Sequence, residues 1–126
     1  MKDTSIIKKY LPAVLWSAFI FFLCFLPGNK LPEEEWLDKI HFDKIVHLFL
    51  YLILFLLIIH ARKNGHTTPF YRTMAVFICL AQGILIECIQ GSSLIEGRSF
   101  DVWDIAANAI GVSAGIIASR LKHKTN

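Results

Sequence analysis

Four long apolar runs separated by short polar breaks leave this chain few ways to fold. They cover residues 10–26, 45–61, 74–89 and 100–118. Each holds roughly 16 to 18 residues, near the lower limit for crossing a bilayer as a helix. A water-soluble domain can bury one such run at its centre, but not four in 126 residues. Composition agrees: 55% of residues are hydrophobic and 18% charged, where a soluble domain carries about a quarter charged residues, and the mean hydropathy is +0.52. The expected fold is therefore all-α: one integral membrane domain over residues 1–126, a four-helix bundle with the lipid bilayer as its surroundings. The basic residues Lys8 and Lys9 before the first run resemble the start of a signal peptide, but no small-residue cleavage site follows. The first run is expected to stay as a helix that opens near Pro12, with Pro27-Gly28 ending it.

The breaks carry their own signals. In residues 29–42, Pro32-Glu33-Glu34-Glu35 predicts a short polar, interfacial helix between the first two spans, with Trp36 at headgroup level. Pro69 is expected to keep the second break extended. With four spans, the N-terminus, the break after the second span and the C-terminus share one side. That side collects Lys2, Lys8, Lys9, Arg62, Lys63, Arg72, Arg120, Lys122 and Lys124, while every acid except Asp3 falls on the other. The positive-inside rule then places both termini in the cytoplasm and the polar ends of spans two, three and four outside. The modest net charge of +3 gives no reason to expect nucleic acid. Cys24, Cys79 and Cys88 lie inside apolar runs without metal-ligand spacing, and are expected to pack as small apolar residues.

The chemistry lies in polar residues that a membrane should reject. Asp43, His47 and Tyr51 are spaced four apart and share one helix face, with Asp43 able to cap the first turn. Lys44 is expected to snorkel to the headgroups. Glu87 and Gln90 close the third run, and an ionised glutamate there needs a partner or a proton. At about 100° per residue, Arg98, Asp101, Asp104, Asn108, Gly111 and Gly115 fall on one face of the fourth helix. Ala107, Gly111 and Gly115 recur every four residues, and Gly83 lies one turn below Glu87; these small residues are the expected helix-packing positions.

The ligand-binding candidates are thus Asp43, His47, Tyr51, Glu87, Gln90, Arg98, Asp101, Asp104 and Asn108. They can bind a phosphate headgroup through Arg98 and His47, or hold a divalent cation between the acids and His47. They can also run acid–base chemistry, with Glu87, Asp104 and His47 as catalytic candidates. No HExxH, GxSxG, phosphate loop or common lipid-phosphatase signature selects among these.

Asp43-Lys44-x-x-His47-x-x-x-Tyr51, then Glu87-x-x-Gln90, then Arg98-x-x-Asp101-x-x-Asp104-x-x-x-Asn108-x-x-Gly111 resembles the VanZ-like family of small bacterial membrane proteins. Its founding member is linked to low-level teicoplanin resistance. The resemblance implies a four-helix fold in the bacterial cytoplasmic membrane and a role at the cell envelope, where an outward-facing ionic pocket meets cell-wall precursors or lipid-linked glycans. It implies no mechanism. The favoured reading is a non-enzymatic protein that binds or modulates a cell-wall or lipid-linked anionic target. The alternative is a membrane hydrolase or transferase acting on a lipid-linked phosphate. A transporter is a third class, which four short helices serve only by forming a homo-oligomer.

Overall fold

The computed structural model describes residues 2–28, 35–36, 41–62 and 67–125, and their regular structure is entirely helical. Four helices follow in order: α1 (Lys2–Cys24), α2 (Phe42–Ala61), α3 (Pro69–Gln90) and α4 (Val102–Lys124). All four are long and apolar enough to cross a membrane, with candidate spans at Thr4–Cys24, Phe42–Ala61, Pro69–Gln90 and Val102–Lys122. The short helix expected between the first two spans lies outside the described residues, apart from the exposed, helical Glu35 and Trp36.

The helix bounds differ from those of the apolar runs, and the local chemistry explains where several of them fall. α1 begins at Lys2, so Pro12 lies inside it and not in its opening turn. Pro69 is the first residue of α3 and does not hold an extended loop. The extended residue is Thr68, as expected before proline. The Thr68 hydroxyl oxygen accepts the Tyr71 backbone N–H at 3.2 Å, an N-cap on a helix whose first N–H the proline has removed. α4 starts two residues later than the apolar run: Asp101 is its N-cap, accepting the Trp103 N–H at 2.8 Å. Arg98 therefore sits in the loop before α4, outside the helical face on which the sequence count places it. α2 opens at His41, which adopts a left-handed backbone and gives no side-chain cap; Asp43 does not cap the helix either.

Packing is centred on α2. Tyr51, Leu54 and Phe55 of α2 pack with Ile20 of α1, Cys79 and Ile86 of α3, and Val112 of α4 in one buried core. α2 and α4 make the closest pair. A Cβ at Gly111 would overlap the Leu48 carbonyl, so the two backbones touch there, and one at Gly115 would come within 2.7 Å of the Phe55 ring. α1 is the most peripheral helix, with Ile7, Val14, Leu15 and Phe22 all exposed along it. In a chain with four membrane-length helices such faces meet lipid, not water. Polar contacts hold α1 in place. The Trp16 indole N–H donates to the Leu50 carbonyl at 2.9 Å, and the Ser17 hydroxyl donates to Gln82 Oε1 at 2.7 Å. Cys24 and Cys79 are buried packing residues, whereas Cys88 is exposed on the outer surface of α3.

The loop between α3 and α4 folds over the end of α1. The Gly28 N–H donates to the Glu96 carbonyl at 2.9 Å. No side chain fits at Gly28 because the Gly97 carbonyl occupies that space, and Gly97 itself has φ 71°. This seam brings the end of α1, the start of α2, the end of α3 and the start of α4 to one end of the bundle.

Candidate functional site

The polar end is built from three helices. From the first turns of α2 come Asp43, Lys44 and His47; from the last turn of α3 comes Glu87; from the start of α4 come Asp101, Asp104 and Asn108. Lys44 lies at their centre, its side chain partly exposed. Its ammonium donates to Asp101 Oδ2 at 2.5 Å and Asp43 Oδ2 at 2.6 Å. It also lies 3.0 Å from Asp104 Oδ1, an ion-pair contact without the angle of a hydrogen bond. Lysine at a helix start normally snorkels, and here its ammonium also pairs with two carboxylates of α4. The Lys44 ammonium holds the Asp101 carboxyl below its ordinary range, helped by the Trp103 N–H.

Beneath this exposed layer is a buried one. Glu87 is fully buried at 0% exposure, and its Oε2 accepts the Asp101 backbone N–H at 2.9 Å. That bond ties the end of α3 to the entry of α4. Glu87 Oε1 accepts no hydrogen bond among the described residues. His47 Nδ1 lies 3.0 Å from Asn108 Oδ1, and His47 Nε2 lies 3.7 Å from Asp104 Oδ2. Atoms of His47, Glu87 and Asp104 all fall within 4.8 Å of one another, and so do atoms of Asp43, Asp101 and Asp104. Asn108 fits because α3 has glycine opposite it: a Cβ at Gly83 would come within 2.6 Å of the Asn108 amide nitrogen. Tyr51 lies one turn deeper beside Gly83, fully buried, its hydroxyl without a partner among the described residues. Ala107, buried on α4, adjoins Asn108 on the packed side of that helix.

Two of the residues singled out from the sequence face elsewhere. The Gln90 amide donates to the Cys24 carbonyl at 2.7 Å. The Arg98 guanidinium donates through Nε to the Leu26 carbonyl at 3.0 Å and through Nη2 to that of Leu23 at 3.4 Å. Both satisfy carbonyls at the C-terminal end of α1, where a helix leaves its last acceptors unpaired and favours positive charge. The cluster is therefore acidic, with Asp43, Glu87, Asp101 and Asp104 set against Lys44 and His47. Lys44 is the residue that sequence reasoning missed. The available signal was its position three residues before His47, which puts the two on one side of α2.

Chemically, this arrangement offers acceptors in excess of donors at one end of a membrane bundle. It suits a cation, a hydrogen-bond donor or a moving proton better than a bare anion. No curated protein and no solved structure matches the chain significantly. A family model described as VanZ/LLP1 matches residues 5–123, which takes in all four helices and the whole polar cluster. The chain belongs to the VanZ/LLP1 family.

Proposed function

We propose that this protein works at the bacterial cell envelope as a non-enzymatic binding protein, through a polar site at the outward-facing end of the bundle. The observation that carries this reading is the meeting of Lys44, His47, Glu87, Asp101 and Asp104 from three helices at one end, with a fully buried carboxylate among them. Such a cluster is expensive in a membrane protein and is kept where it has a task. Its acidic balance indicates how the target is held. With Arg98 engaged on α1 and Lys44 matched by three carboxylates, neither of these cations is free for an anionic headgroup among the described residues. A cell-wall precursor or lipid-linked ligand is therefore gripped through its own donors, or through a cation bound between it and the protein.

Orientation rests on charge. Lys8, Lys9, Arg62, Arg72, Arg120, Lys122 and Lys124 belong to the end away from the cluster, which supports cytoplasmic termini and a cluster that faces outward in the cytoplasmic membrane. C-terminal fusions to a reporter active only in the cytoplasm, and to one active only outside it, check this directly. Teicoplanin is the natural challenge for a member of this family. Expression in a susceptible Gram-positive host should shift teicoplanin susceptibility, and Asp104→Asn should remove the shift at an unchanged membrane level. An Asp104→Asn chain that shifts susceptibility as the wild type does rules the polar end out of the function.

One feature favours an enzymatic alternative. His47, Glu87 and Asp104 lie close enough to exchange protons. Turnover of a polyprenyl or phospholipid phosphate by the purified protein, abolished in Glu87→Gln, would decide for this second reading.

A further inference from the structure

The buried trio has a geometry that hydrogen bonding alone does not explain. Glu87 has one oxygen fixed by the Asp101 N–H, while its second oxygen, in a side chain with no exposure at all, has no donor among the described residues and shares its surroundings with the Asp104 carboxyl. Across from it, the Asp104 carboxylate has one oxygen toward Lys44 and the other 3.7 Å from His47 Nε2. That distance is too long for a hydrogen bond, for which about 3.2 Å is the usual limit. The two imidazole nitrogens have different surroundings. Nδ1 lies 3.0 Å from the Asn108 amide oxygen, a contact in which it can donate, and Nε2 is the nitrogen that faces Asp104 and can ligate an ion through its lone pair. A histidine whose far nitrogen donates to an amide oxygen while its near nitrogen faces carboxylates has the arrangement found at metal ligands.

We propose that His47, Glu87 and Asp104 bind one divalent cation of the zinc or manganese class. One imidazole nitrogen and two carboxylates form a three-residue ligand set that leaves coordination positions open for water or a target's oxygen. The ligand atoms lie within 4.8 Å of one another. A tetrahedral ion with bonds of about 2.1 Å holds its ligands about 3.4 Å apart, so the set closes with ligand-atom movements on the order of an ångström. Charge favours the same occupant. Four carboxylates surround a single ammonium, and even with Asp104 shared with Lys44 the cluster holds enough negative charge to neutralise a dication. Asn108 acts as a positioning residue through His47, and Gly83 makes room for it. The inference deepens the envelope role proposed above and rests on it for purpose: a bound dication is what lets an acidic cluster grip a phosphate or carboxylate group. Metal content and susceptibility are separate readouts, so a chain that binds no metal yet shifts teicoplanin susceptibility overturns the metal site and spares the envelope role.

The test uses the full chain, purified in detergent, stripped with chelator, loaded with Zn2+ or Mn2+ and desalted. Metal analysis should find about one ion per chain, and the thermal midpoint should rise with metal concentration by mass action. Glu87→Gln and Asp104→Asn should each reduce retention at least tenfold, Asn108→Ala should weaken affinity about tenfold, and Asp43→Asn should leave the stoichiometry unchanged. Retention lost in Asp43→Asn but kept in His47→Gln would move the ion to the outer carboxylates and overturn the proposal. So would a wild-type chain that retains no more metal than Glu87→Gln and shows no rise in midpoint, the behaviour of two carboxylates sharing a proton. Should the variants fail to accumulate, Co2+ titration of the wild type decides: visible absorption bands of a nitrogen- and oxygen-ligated ion support the site, and a spectrum of hydrated Co2+ overturns it.

Discussion

Two parts of α4 do opposite work against the same partner helix. From its middle onward, Gly111 and Gly115 let α2 approach until backbone meets backbone at Leu48 and ring meets glycine at Phe55. In its first two turns, Asp104 and Asn108 meet α2 through polar groups, and one Asp104 carboxylate oxygen has no hydrogen bond among the described residues. The first part fits so closely that one added carbon has no place. The second is imperfectly satisfied at a depth where imperfection is costly. Under the proposed function, stability and binding separate along a single helix: the small-residue part holds the bundle together, and the polar part is kept despite what it costs.

Substitutions can break this comparison at its strong end first. Gly111→Leu must push α2 and α4 apart at Leu48, and should destabilise the bundle by about 3 kcal/mol or prevent its accumulation in the membrane. Chemical unfolding in mixed micelles checks this, and a loss below about 0.5 kcal/mol would mean that the backbones are not in contact. Gln90→Ala comes next. It strips the Cys24 carbonyl of its buried donor and should lower stability by about 1 to 3 kcal/mol in the same assay, without altering what the polar cluster binds. An effect of Gln90→Ala on teicoplanin susceptibility at unchanged protein level would put Gln90 back in the site.

How far the sequence carried the account differs between the same two regions. The number and type of the helices follow from hydropathy, because four apolar runs of membrane length admit little else. The ends of the helices were less legible. Pro12 reads as part of an opening turn and Pro69 as an extended loop residue, yet the first lies inside α1 and the second opens α3. Arg98 shows the limit most clearly. Counting 100° per residue assumes a helix, and three residues before the N-cap there is none, so the loop's course over α1 decides where the guanidinium goes. The partners of Lys44 were hidden for another reason. Spacing within α2 says nothing of α4, and only the pairing of the two helices sets Asp101 and Asp104 beside it. Contacts between helices are the part of a membrane site that spacing within one helix does not encode.

The smallest effect belongs to the exposed layer. Lys44 holds the Asp101 carboxyl below its ordinary value of 3.8 in the folded chain. A depressed carboxyl contributes stability that is present in full above the unfolded value and is lost as pH falls through the folded one. Stability should therefore decline below roughly pH 4. Asp101→Asn should flatten that decline by a small, salt-sensitive amount, since the pair is partly exposed. Thermal midpoints between pH 3 and 7 at two salt concentrations check the sign. A midpoint that falls equally in the variant assigns the acid sensitivity to other carboxylates.

The most direct test of the separation is the unfolding free energy of Glu87→Gln/Asp104→Asn beside wild type, in metal-free buffer at neutral pH. Both replacements keep the shape and remove the charge. If the polar part of α4 serves binding, the double variant should be as stable as the wild type or more so, by up to about 2 kcal/mol, because charges confined in an apolar bundle are released. A loss of about 2 kcal/mol or more would show that these carboxylates hold the helices together, and would contradict the account.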